Sequence, residues 1–203
     1  MKKFLSLVAL LTSLQSFAQV DAYVKQQQHI IDSMNALPKT PVKTTLDIPV
    51  DSATGKIKFA GVVDAPSKKA VAILSSVNSA LLKSNAFTDK TIVISDTATG
   101  EFTMRCKSEL VTSFGSLCFI NYLVTVYTKE GRFKYVLTNF VHEGCDRQGL
   151  PPMKSTGELE NAMVSTPGNR GYYDNMLTLS KMVAENVITE IKAGVLKNDE
   201  RNF

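Results

Sequence analysis

Apolar and polar positions alternate most regularly between Leu117 and Val141. From Cys118 to Thr128 the apolar set is Cys118, Ile120, Tyr122, Val124 and Val126. From Arg132 to His142 it is Phe133, Tyr135, Leu137 and Val141. Strict alternation of this kind marks half-buried strands. Glu130-Gly131 between them reads as a two-residue hairpin turn, which sets the two apolar rows opposite each other on one face.

The same reading extends outward from this pair. Ile57, Phe59 and Val63 alternate with Lys56 and Lys58, predicting a strand over Lys56–Val63. Pro66-Ser67 ends it, with Ser67 as helix N-cap. The helix Lys68–Lys83 then places Ala70, Ile73, Leu74, Val77 and Leu81 on one stripe. Thr91–Asp96 and Glu101–Val111 are two further strands, with Ile92 and Ile94 meant to share a face with Phe102, Met104, Cys106 and Leu110. Loops at Ala98-Thr99-Gly100 and Ser113-Phe114-Gly115, each ending in a left-handed glycine, keep those faces aligned. Residues 144–171 are rich in glycine and proline and read as one long loop. A last helix, Tyr172–Ala193, turns Met176, Leu179, Val183, Val187 and Ile191 inward, with Gly194 as its stop. The order β-α-β-β-β-β-α predicts an α+β domain over residues 46–195. It would be a curved five-stranded antiparallel sheet with both helices on one face. Residues 196–203 form a tail.

The N-terminus carries a different signal. Met1-Lys2-Lys3, the apolar run Phe4–Leu14 and the small residues Ser16-Phe17-Ala18 have the pattern of a secretory signal peptide cleaved after Ala18. The expected location is therefore the periplasm or the cell exterior. Residues 19–45, with Pro38-Lys39-Thr40-Pro41, read as an arm or linker. Lys2 and Lys3 account for two of the formal +4 charges. What remains is too weak for a nucleic-acid footprint, so no nucleic-acid partner is expected. No stretch is long enough to be a transmembrane segment.

Candidate chemistry is sparse. His142 stands near Glu143, Cys145 and Asp146, which raises a thiol or histidine hydrolase as one reading. Adjacent strand residues point to opposite faces, however, and no nucleophile elbow or oxyanion-hole loop accompanies them. No spacing of Cys106, Cys118 and Cys145 fits a zinc site, so neither catalytic residues, metal nor cofactor are assigned. In the two-residue-turn register Cys118 faces Glu143 and has Cys145 as a diagonal neighbour. A Cys118–Cys145 disulfide is the expected pairing. The second face of the central strand pair carries Phe119, Leu123, Tyr127, Val136 and Phe140 among polar residues. With both helices on the first face, this stripe is open and is the expected binding surface.

Two stretches resemble a known family. Ile48-Pro49-Val50-Asp51, Thr54-Gly55-Lys56-Ile57-Lys58-Phe59, Val62-Val63 and Ser67-Lys68-Lys69 form the first. Lys129-Glu130-Gly131-Arg132-Phe133-Lys134-Tyr135 and Leu137-Thr138-Asn139-Phe140 form the second. Over residues 46–143 the chain resembles the exported bacterial proteins of domain of unknown function 4468. It departs from their habit of aromatic residues along the first helix. The resemblance implies a TBP-like fold, an envelope location in a Bacteroides-type bacterium, and no particular activity. The expected function is a non-enzymatic binding module of the cell envelope, monomeric or weakly dimeric, whose partner is an envelope protein, a peptide or a glycan. A carrier of a small apolar ligand held against the open sheet face is the alternative.

Overall fold

The computed structural model describes residues 41–111, 117–146, 153–165 and 167–196, together with Lys25 and Gln28. The signal segment 1–18, residues 19–40 of the arm apart from Lys25 and Gln28, the Ser113-Phe114-Gly115 loop and the tail from residue 197 lie outside the described residues. The chain divides into two compact units, Met1–Pro41 with Thr166–Gly168, and Val42–Ser165 with Asn169–Phe203. The second unit carries the fold.

Its strands are β1 (Val42–Lys43), β2 (Phe59–Asp64), β3 (Asp89–Asp96), β4 (Glu101–Val111), β5 (Leu117–Lys129), β6 (Arg132–Asp146), β7 (Met153–Glu158) and β8 (Val164–Ser165). Its helices are α1 (Ala70–Lys83) and α2 (Pro167–Leu196). The main sheet is antiparallel in the order β2-β6-β5-β4-β3, and β7 adds to β6 beyond the end of β2. The five-strand path matches the expected α+β architecture, and β7 is the sixth strand.

Period-two patterning decides the core. Cys118, Ile120, Tyr122, Val124 and Val126 are all buried, Leu137 and Tyr135 pair with Val124 and Val126, and buried Phe133 follows opposite Thr128. On α1, Ile73, Leu74, Val77 and Leu81 cover it. On α2, Met176, Leu177, Ala184, Val187, Ile191 and Val195 do so. The two helices share this inner face. The Tyr172 hydroxyl lies 3.6 Å from Cys118 Sγ, and Lys192 Nζ stands 5.5 Å from the Tyr135 ring centre.

Bulges change the register that a simple hairpin would give. Lys129 faces Arg132 and Leu123 faces Thr138, as the two-residue turn requires. Then Asn121 faces Val141, so Asn139 and Phe140 together oppose Tyr122. Asn139 adopts a left-handed φ of 56°, which asparagine tolerates better than most residues. Phe140 is thereby rotated from the outer to the inner face, where it is 1% exposed. Its expected place in the open stripe is corrected accordingly. Val141 moves the opposite way. A second bulge at Gly144, with φ 46°, brings Cys145 directly opposite Cys118 rather than diagonal to it. A third shift between Ile92 and Ile94 leaves Ile94 facing Thr103 on the outer face.

Other expectations also give way. Ser67 is not an N-cap. With φ 71° it occupies the third position of the turn Ala65-Pro66-Ser67-Lys68, and Lys69 stands at the cap instead. The stretch read as a long loop holds β7, a 3₁₀ turn over Leu159–Met163, β8 and the first turn of α2. Its elements are short, and β1 and β8 complete each other only across the chain, Val42 opposite Ser165. The arm's last residues therefore belong to the fold.

Gly194 is not a stop, because α2 continues through it. A Cβ at Gly194 would stand 2.5 Å from Ala80 Cβ, so the glycine marks the close approach of α1 and α2. Ala80 has no flexible end to move aside, and an added methyl must push the helices apart. Gly194→Ala gains about 1 kcal/mol in helix propensity against about 1–3 kcal/mol for overpacking. We expect net destabilisation in urea titrations, with Ala80→Gly restoring the midpoint. A stabilised Gly194→Ala protein would contradict the close approach.

Candidate functional site

The sheet face turned away from the helices carries the odd positions of β5. Leu123 and Val136 are half-buried there, Tyr127 is 44% exposed, and Val62 at the β2 margin is 62% exposed. Phe119 also reaches this face, but its ring is covered. Lys107 Nζ stands 4.5 Å from the ring centre and forms an ion pair of 2.8 Å with Glu143. Asn121 Nδ2 donates to the same Glu143 carboxylate at 3.0 Å. Lys107 and then Asn121 hold the Glu143 carboxyl below its usual range. Thr103 and Thr125 share a hydroxyl hydrogen bond of 3.1 Å beside the stripe. Along the face Arg105, Lys107 and Lys134 are interleaved with Glu101, Glu109 and Glu143 in the cross-strand register, so no single sign of charge prevails.

A concavity lies at the β2 margin on the helix side. It is a cleft of about 640 Å³ between the 49–52 segment, β2 and α2. Phe59, Ala60 and Tyr135 line it from the sheet, with Ile188, Thr189, Glu185 and Lys192 from α2. Gly61 pairs with Tyr135, and a Cβ there would collide with the tyrosine ring. The opposite wall is a tight hairpin. Val50 bridges Ile57, Gly55 turns the chain at φ 69°, and Asp51 binds Lys58 at 2.6 Å. Glu160 accepts the Ile57 amide at 2.7 Å, and Glu158 pairs with Lys56 at 2.6 Å. The first of the family-like stretches thus clasps the 3₁₀ turn.

The chemistry-bearing residues stay apart. His142 pairs with Ile120 on the inner side and abuts Gly157, whereas Glu143 faces Phe119 on the outer side. Cys106 is buried, and burial pushes its thiol up to about 12. Cys118 is disulfide-bonded, and Cys145 is the residue facing it in the backbone register. Among the described residues no group of His, Cys, Asp and Glu is placed to hold a metal ion. Among them, too, no helix is long and apolar enough to cross a membrane.

The sequence matches no protein-family model and no curated protein. Two solved structures are similar in shape. A TBP-like protein from Parabacteroides distasonis superposes with a TM-score of 0.61 at 14% identity, over 73% of this chain and 96% of that one. The fold is TBP-like. A DUF4468 family protein from Bacteroides ovatus superposes with a TM-score of 0.54 at 17% identity, over 73% of this chain and 90% of that one. The resemblance seen in the two family-like stretches is thus to a protein of the same fold.

In this TBP-like chain, sequence reading missed the cleft and the role of Arg170. Arg170 stands in the first turn of α2. Arg170 donates to Ala162 O at 2.7 Å and to Met163 O and Val42 O at 3.2 Å, and pairs with Asp174 at 2.7 Å. It ties β1, the 3₁₀ turn and α2 together. A lone arginine carries no sequence signal for such a role. The cleft's lining comes from three stretches far apart in sequence, so no local pattern announces it.

The cleft hairpin also predicts a pH dependence. Lys58 first, then the Thr54 and Ala53 amides, hold the Asp51 carboxyl down from 3.8 to about 2. A depressed carboxylate contributes stability that is present above the ordinary value and is lost as pH falls through about 2. Urea midpoints measured from pH 4 down to pH 2 are expected to fall more steeply for wild type than for Asp51→Asn. Parallel slopes would remove Asp51 from the acid response.

Proposed function

We propose that this chain is an exported, non-enzymatic binding module of the bacterial cell envelope that engages its partner through the outer sheet face. One observation carries the reading. Leu123, Tyr127 and Val136 form an apolar stripe, continued by Val62, on the side of the sheet that neither helix covers. The interleaved charges beside it suit a protein, peptide or glycan better than a nucleic-acid backbone. The signal-like Met1–Ala18 segment supports export.

The test is the double variant Leu123→Ser with Tyr127→Ser. It keeps the inner core, so cooperative melting within about 1 kcal/mol of wild type is expected. Native mass spectrometry of the protein purified from its own envelope should show the wild type with a partner and the variant bare. A variant that retains the partner would end the outer-face reading. The carrier alternative places a small apolar ligand against the open sheet face; the cleft on the helix side is a different site. Its charged lining of Asp51, Lys58, Glu185 and Lys192 favours a polar guest over a purely apolar one.

A further inference from the structure

The two ends of the main sheet are guarded differently. β3 is broken by the bulge between Ile92 and Ile94, a device that turns a sheet edge away from pairing. β2 pairs with β6 in unbroken register from Phe59 to Asp64, has no second neighbour among the described residues, and carries neither proline nor lysine. Its outward groups can be assigned from its two flanks. Lys58 N donates outward to Pro49 O at 3.0 Å, and Ala65 N donates inward to Gly131 O at 2.8 Å. Strand alternation therefore points the N–H and C=O of Ala60, Val62 and Asp64 away from the sheet. All three residues are exposed, and no other described strand pairs with them.

We propose that the β2 edge is a docking site for an extended peptide, which adds as a further strand and places alternate side chains in the adjoining cleft. Main-chain hydrogen bonds to Ala60 and Val62 supply the register, and the pocket beside them supplies selectivity. Phe59, Tyr135 and Ile188 offer the cleft an apolar lining. Glu185 and Lys192 line the cleft from positions two helical turns apart on α2, so an acidic residue is favoured at the Lys192 end. Lys58 is already neutralised by Asp51, whereas Lys192 stands over the Tyr135 ring with no carboxylate within ion-pair distance among the described residues. The fold uses the same device internally, since β7 adds to β6 along the line that β2 leaves vacant. The site adjoins the outer-face stripe at Val62 but uses the main chain there, and it stands without Leu123, Tyr127 and Val136.

The experiment uses the full chain with fluorescent ten-residue peptides of alternating valine and threonine. One version carries a central glutamate, and a control has proline at alternate positions. The glutamate peptide is expected to bind and the control to fail. On binding, amide exchange at Ala60 and Val62 should slow by at least about tenfold. Val62→Pro removes one outward N–H and leaves the β6 pairing intact, so it should weaken binding at least about tenfold while melting cooperatively. Lys192→Gln should reduce the preference for the glutamate peptide by about fivefold. The Leu123→Ser, Tyr127→Ser protein should bind the peptide unchanged. Absent binding, binding that ignores Val62→Pro, or Ala60 and Val62 amides already protected in the free protein would overturn the proposal. If Val62→Pro fails to fold, the wild-type exchange measurement decides alone.

Discussion

Phe140→Ala is expected to destabilise the protein by about 3–5 kcal/mol, the range for emptying a buried phenylalanine site. The ring stacks on Tyr122 with centroids 5.3 Å apart and meets Phe59 edge-on at 5.6 Å. Removing it opens a void between β2, β5 and β6, and the Tyr122 hydroxyl is anchored on the other side by Ser108 at 3.0 Å. Tyr122 therefore cannot swing freely to fill the gap. Tyr127→Ala, on the outer face, is expected to stay within about 1 kcal/mol of wild type. Guanidinium titrations of the two variants give a direct reading of the bulge at Asn139. Without that bulge the two residues would share a face and the costs would converge. A Phe140→Ala cost below that of Tyr127→Ala would refute the bulged register. With total stabilities of about 5–15 kcal/mol for domains of this kind, the loss of Phe140 consumes a large share.

Gly100→Ala is expected to cost about 2–4 kcal/mol, from left-handed backbone strain and overpacking together. Gly100 has φ 70°, and an added Cβ would stand 2.6 Å from the Thr128 backbone oxygen. Neither problem can relax alone. Thr128 N and Thr128 Oγ1 both donate to Gly100 O, at 2.8 and 3.0 Å, so the turn between β3 and β4 is fastened to the end of β5. Gly55→Ala is the control. It has a similar φ of 69° but open space around it, so it should show the backbone cost alone. Equal losses at the two positions would mean that the Thr128 contact contributes nothing.

Much of the fold was legible because one-sided burial writes period-two and helical patterns into the chain. The buried row from Cys118 to Val126, the apolar stripe of α1 and the left-handed glycine at residue 100 all follow from local pattern. The turn at Glu130-Gly131 even set the first part of the β5–β6 register correctly. That reading failed at Asn139 because a bulge adds one residue without breaking the alternation of residue types. Phe140 and Val141 are both apolar, and nothing local says which one points inward. Only the stacking partners Tyr122 and Phe59, brought together by the sheet, make that choice.

Residues 144–171 failed as a loop for a related reason. β7, the 3₁₀ turn and β8 are short and weakly patterned, and they exist because β6, the 50–57 hairpin and β1 supply their hydrogen-bond partners. Gly194 was read as a stop because glycine after a helical run often is one. Its real constraint is Ala80, over a hundred positions earlier in the chain.

The candidate site divides along the same line. Leu123, Tyr127 and Val136 were found from sequence because alternation alone assigns them to one face. The cleft and the open β2 edge were not, since their walls are assembled from segments that meet only in three dimensions. The sequence by itself determined the α+β class, the strand order along the chain and the main core, since hydrophobic periodicity is a local consequence of burial. The tertiary structure alone decided the bulges, the helix crossing, the β2 edge that no other described strand pairs and the pocket beside it, because each depends on contacts between residues that sequence distance keeps apart.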